Sequence, residues 1–91
     1  MLGERIKSQR EAHRISQVEL AEELHVSKQS VSNWENGNIV PSVEMVMKIA
    51  KYFSVSTGYL LGLDDREYID VSGLDADVIA HIRTLIEDIK R

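Results

Sequence analysis

The chain has no cysteine, so disulfides, thiolate catalysis and the usual structural zinc sites are excluded. It has one proline and few aromatic residues, and no apolar run approaches the roughly 18 residues of a membrane span. The N-terminus has no apolar signal-like segment. His13, His25 and His81 are far apart and none stands at metal-ligand spacing from another, so no metal and no cofactor is implied. No nucleophile has a base and an orienting third group beside it. Ser27-Lys28 lacks both, so the residues do not read as an enzyme. What remains, 91 residues with 43% hydrophobic and 29% charged, reads as a single soluble, helix-rich, cytoplasmic chain with a modest core.

Charge is also missing from one place and concentrated in another. The net charge of −4 first argues against a polyanionic partner. Residues 1–63, however, carry seven basic and seven acidic side chains, whereas residues 64–91 carry four and eight. The acidity belongs to the tail.

A small pattern recurs along the first part of the chain: an apolar residue, a serine, and another apolar residue four positions after the serine. It occurs at Ile15-Ser16 with Leu20, at Val26-Ser27 with Val31, and at Val55-Ser56 with Leu60. Serine there caps the first turn while the apolar pair packs across it. Helices are therefore expected to start near 17, 28 and 57, with Glu19 completing a capping box on Ser16. A helix from Leu2 towards His13 precedes them. Asn36-Gly37-Asn38 breaks the third helix, and Ser42 caps a fourth with Met45, Val46, Ile49, Ala50 and Phe53 on its buried face. Gly62 closes a fifth.

The second and third helices are separated only by His25 to Ser27, the tight αα turn of a helix-turn-helix. Leu20, Ala21, Leu24, Val26, Val31 and Trp34 occupy facing positions, and Ala21 is small enough for the helices to cross closely. The third helix has two faces. Val31 and Trp34 point inward, and Lys28, Gln29, Ser32 and Asn33 lie opposite, a set suited to hydrogen-bonding base edges in a major groove. Trp34, Tyr52, Phe53 and Tyr59 read as core or partly buried packing rather than base-stacking platforms.

The run from Ser16-Gln17-Val18-Glu19-Leu20-Ala21 to Ser27-Lys28-Gln29-Ser30-Val31-Ser32-Asn33-Trp34-Glu35-Asn36-Gly37 resembles the Cro and lambda-repressor-like helix-turn-helix regulators, also called the xenobiotic-response-element type. Pro41-Ser42 and Val55-Ser56 to Leu60-Leu61-Gly62 fit as well, so the resemblance covers about residues 2–63. It implies an all-α, five-helix DNA-binding domain at 1–63 whose recognition helix is 28–36. Gln17 would reach a phosphate and orient that helix. Lys28, Gln29, Ser32 and Asn33 would read bases, with Ser27 at the helix start, and Asn36 and Asn38 would meet the backbone. Arg10 and Glu35 would form a structural ion pair. The chain departs from the common pattern with His25 and Arg14 at positions usually held by glycine and Gln9 at one often held by leucine. A positive φ is expected at His25.

Residues 64–74 read as a linker opening on the solvated charge run Asp64-Asp65-Arg66-Glu67, with Tyr68, Ile69 and Val71 able to pack back onto the domain. Residues 75–91 form a C-terminal amphipathic helix, with Leu74 and Ile79 as a further staple. Val78, Ile82, Leu85 and Ile89 make a short coiled-coil seam, widened by Ile79 and Ile86. This helix either folds against the five-helix body or pairs with a second copy, and the pairing is the expectation favoured by function. Two recognition helices about 34 Å apart would then meet a palindromic operator. The overall expectation is a repressor-like regulator that binds double-stranded operator DNA as a homodimer, with a protein partner at the C-terminal helix as a further option. Two rivals use the same fold: an antitoxin that neutralises a toxin with its tail, and a protein-interaction adaptor.

Overall fold

The computed structural model describes residues 1–91. Six helices follow one another: α1 (Leu2–Ala12), α2 (Gln17–Leu24), α3 (Lys28–Asn36), α4 (Val43–Phe53), α5 (Thr57–Leu60) and α6 (Ala76–Lys90). The fold is all-α, as the serine pattern predicts, and no helix is long and apolar enough to cross a membrane.

The four serines do what their spacing asks. Ser16 Oγ accepts from the Glu19 amide while Glu19 accepts from the Ser16 amide, the reciprocal capping box. Ser27, Ser42 and Ser56 accept from the amides of Ser30, Met45 and Tyr59. Each such cap stabilises its helix by about 1 kcal/mol. The helix ends are less orthodox. His25 and Ser54, the C-caps of α2 and α4, have φ of 57° and 56°, and Arg14 after α1 has 56°. Two helices close on a left-handed glycine, α3 at Gly37 with φ 77° and α5, just past Leu61, at Gly62 with φ 76°, as expected for the fifth helix.

The staples and helix stripes converge on one core. Ile6, Leu20, Val31, Ile49 and Leu60 are completely enclosed, and Ala21, Leu24, Trp34, Val46, Ala50 and Phe53 complete the cluster. Phe53 and Tyr59 pack as expected, whereas Tyr52 lies at the surface with its ring edge-on to Phe53. α3 is the hub, packed between α1 and α2, while α4 and α5 close the other side. The helix-turn-helix therefore sits on a scaffold rather than standing alone.

One close approach sets the α1–α3 spacing. A Cβ added at Gly3 would collide with the backbone carbonyl of Trp34 and lie 2.7 Å from that of Glu35. The requirement is for lack of volume, not for an unusual backbone angle.

A buried ion pair joins the same two helices. Arg10 Nε donates to Glu35 Oε2 at 2.7 Å and Nη2 donates to Oε1 at 3.1 Å, a bidentate fork. The remaining end, Nη1, donates to the Ile15 carbonyl at 2.9 Å. Glu35 is the sole charged residue in the core, with its side chain 2% exposed. Hydrogen bonding to Glu35 raises the Arg10 pKa above its ordinary value, against the opposing effect of partial burial.

α6 differs from the other five: none of its residues is buried. It takes no part in the main helix packing, which weighs against the alternative of a sixth helix folded onto the five-helix body. Nor is the stretch before it a free linker. Asp65 pairs with Arg5 and Glu67 accepts from Gln9, both on α1. Asp64 accepts from the Arg66 amide and the Tyr68 hydroxyl, which holds its carboxyl below the usual carboxylate range. Asp75 caps α6 without a side-chain hydrogen bond.

Two substitutions test this architecture by urea unfolding. Gly3→Ala improves intrinsic helix propensity by about 1 kcal/mol, yet overpacking against the α3 carbonyls should reverse the sign and destabilise by about 1–3 kcal/mol. A stabilised variant would mean that α1 moves away freely. Glu35→Ala strands a partly buried guanidinium and should cost about 2–3 kcal/mol, below the cost for a fully buried pair, whereas Arg10→Met with Glu35→Leu together should cost clearly less. Additive losses would show that the two residues do not act as a pair.

Candidate nucleic-acid interface

The outer face of α3 is built by subtraction. Val31, Trp34 and Glu35 are drawn inward, which leaves Lys28, Gln29 and Asn36 exposed and Ser32 and Asn33 half-buried on the opposite side. At 100° per residue these five share one continuous face. The sequence-expected residues are thus brought together by a single helix.

Their side chains are already partly ordered. Gln29 Nε2 donates to Asn33 Oδ1 at 3.1 Å, and Asn36 Nδ2 approaches Ser32 Oγ at 3.4 Å. Both pairs are four residues apart, one helical turn, so each amide steadies the next. The face therefore presents an amide ladder with Lys28 as its one cation. Ser27, at the head of the helix, is exposed, and its Oγ is shared between the Ser30 amide and the Ser30 hydroxyl at 3.0 Å.

The far end is shaped by the α3 stop. Gly37 turns the chain left-handed, and the Asn33 carbonyl accepts from the amides of Asn38 and Ile39. Asn36 and Asn38 are both exposed there. They continue the polar surface beyond the last turn.

Gln17, the first residue of α2, is placed differently from the others. Its Nε2 donates to Glu35 Oε1 at 3.1 Å, so one amide proton is spent on the buried carboxylate. An amide group has a second N–H and an acceptor oxygen, and these remain for an external group. Glu35 thus receives three hydrogen bonds, two from Arg10 and one from Gln17. Through them the start of α2, the end of α1 and the last turn of α3 share one fixed point.

The turn between α2 and α3 depends on His25 in the left-handed region, φ 57° and ψ 44°, as its position predicts. The Val26 amide then returns to the Ala21 carbonyl at 2.9 Å. Ala21 is 3% exposed, the close-contact residue where the two helices cross.

Sequence reasoning missed one positioned side chain, Arg5. Its guanidinium donates to the Tyr59 carbonyl and, at 3.3 Å, to the Asp64 carbonyl, and it stacks 4.3 Å from the centre of the Tyr59 ring. No local signal could have revealed it, because its partners lie 54 to 60 residues away.

Comparison with known proteins agrees with this geometry. A family profile described as Helix-turn-helix (HTH_3) matches residues 6–60. The HTH-type transcriptional regulator ImmR of Bacillus subtilis is 36% identical over 64 residues, 70% of this chain and 50% of that protein. The chain thus spans half of that relative's length. The crystal structure of the phage P22 c2 repressor in complex with a synthetic operator is 33% identical with a TM-score of 0.66, covering 70% of this chain and 97% of that one. The SinR protein/SinI protein complex is 29% identical with a TM-score of 0.64, covering 94% of this chain and 79% of that one. With the five-helix body, the paired faces of α3 and the matched residues in agreement, the chain belongs to the HTH_3 helix-turn-helix family, the Cro and lambda-repressor-like regulators.

Proposed function

We propose that the chain is a transcriptional regulator that binds operator DNA as a homodimer, with α3 in the major groove. The observation that carries the reading is the amide ladder on α3, clamped from behind by Glu35 and Arg10. A rigid helix with amides and one lysine on its free face matches the donor and acceptor pattern of base edges. Gln29 and Asn33 read adenine-like edges, Lys28 takes a guanine or a phosphate, and Ser32 fills the space between. Gln17, Ser27, Asn36 and Asn38 surround them and hold the sugar-phosphate backbone, which fixes register without reading sequence. The likeness to the P22 c2 repressor, seen in complex with a synthetic operator, supports operator DNA as the partner.

The dimer rests on α6. One helix reads too few base pairs for genomic specificity, and a two-fold pair would set the recognition helices about one DNA turn, ~34 Å, apart. Val78, Leu85, Ile86 and Ile89 are exposed and Ile79 and Ile82 half-covered. An apolar seam left in water by its own body calls for a partner. A protein of another kind on the same seam is the second reading, supported by the likeness to a chain from the SinR–SinI complex.

Selection of bound duplexes from random DNA should return a palindrome. On that sequence Asn33→Ala should lose about 1–3 kcal/mol while non-specific DNA is barely affected. Equal losses on both would remove Asn33 from base reading. Removal of residues 75–91 should convert a dimer to a monomer in sedimentation. A truncated chain that stays dimeric would place the interface on the body, and a full chain that sediments as a monomer would favour the heterologous partner.

A further inference from the structure

The regulator reading needs two recognition helices held at one separation, yet α3 and the α6 seam lie on parts of the chain that do not pack together. Some contact must transmit the angle between them. Residues 61–75 are the only covalent path, and a free linker of that length would leave the two half-sites uncoupled. In this chain the path is tied down at its beginning.

Arg5 is the tie. From α1 it donates to the carbonyl of Tyr59, the penultimate residue of α5, and to the carbonyl of Asp64, where the path leaves the body. Its second terminal nitrogen pairs with Asp65 Oδ1 at 3.0 Å. The guanidinium plane lies over the Tyr59 ring, and the side chain is 17% exposed. A planar fork holds its acceptors and a ring face at fixed angles, whereas an ammonium on a flexible stem fixes no such geometry. One turn further along α1, Gln9 donates to Glu67 Oε1 at 3.2 Å. Tyr68, hydrogen-bonded back to Asp64 at 2.8 Å, then leads to Ile69 and Val71. These residues and Tyr68 line a cavity of about 250 Å³ together with Ile79, Ile82 and Ile86 of α6. The hydrogen bonds fix the path from α1 as far as Glu67 and Tyr68, and from there Tyr68, Ile69 and Val71 face the α6 seam across that shared cavity.

We propose that Arg5 is a positioning residue that sets the half-site spacing of the operator. The inference rests on the dimer reading above. The longest dimension of the molecule is 43 Å, so a swing of about 5° at one end moves the other by roughly one base-pair step. Small play at the Asp64 exit is enough to blur the register. Neither Arg5 nor its partners Tyr59, Asp64 and Asp65 belongs to the α3 face, so the effect falls on spacing and not on which bases are read.

The test uses the full chain and duplexes that carry the selected half-site twice, with centres moved by one and two base pairs either way. The wild type should lose at least about tenfold in affinity at two base pairs from its optimum. Arg5→Ala and Arg5→Lys should both sediment as dimers and select the same half-site, yet lose several-fold at the optimum and bind the shifted duplexes nearly as well. The lysine variant keeps the charge, so rescue by lysine would reduce Arg5 to a phosphate-attracting cation and overturn the proposal. So would a spacing profile as sharp as that of the wild type. Should Arg5→Ala fail to fold, Asp65→Ala with Glu67→Ala removes the exposed half of the tie and carries the same expectation of a flattened profile. A monomeric wild type, or a selected sequence with a single unrepeated half-site, overturns the dimer reading itself and is recognised without any variant.

Discussion

The three helices around the recognition face are tied together at one buried carboxylate. Glu35 sits in the last turn of α3 with its side chain almost fully enclosed, where an unpaired charge would cost several kcal/mol. The fold meets that demand from three directions at once: two nitrogens of Arg10, and the amide of Gln17. Arg10 in turn holds the Ile15 carbonyl at the entry to α2. Because a carboxylate accepts along a few directions only, α1, α2 and α3 have little freedom to rotate independently.

The same constraint explains why α3 can expose so polar a face. An isolated nine-residue helix of this composition would be unstable in water. Here Val31 and Trp34 are held in the core, Ser27 and Gly37 close the ends, and the charge of Glu35 is neutralised inside. The outer side is thereby released from any structural duty. The absence of net charge on residues 1–63 is compatible with this design, since reading depends on directed amides more than on a field.

What could be read from residues alone was local or periodic. The four serine caps, the α4 stripe and the two faces of α3 are patterns over three to four positions, and the structure repeats them residue by residue. The Arg10–Glu35 pair came from family resemblance, not from spacing. Hidden from the sequence were the features that span the chain. Gly3 looks like an ordinary helix weakness until the α3 carbonyls appear above it. Asp64-Asp65-Arg66-Glu67 looks like a solvated run, and its last three residues are exposed, but Arg5 and Gln9 hold it. Ser54 gives no sign that it will take a left-handed turn. Such facts depend on what folding brings nearby, and composition does not record it.

α6 has a consequence of its own. It is a fifteen-residue helix with no buried residue and no side-chain cap, close to the length at which helices are marginal in water. Its secondary structure must therefore draw on whatever covers Val78, Leu85 and Ile89. Where the cover is a second copy, helix content becomes a function of protein concentration: the last sixth of the chain frays in dilute solution and winds up as copies meet. Folding of the tail and assembly of the particle are then a single equilibrium, seen once as ellipticity and once as mass.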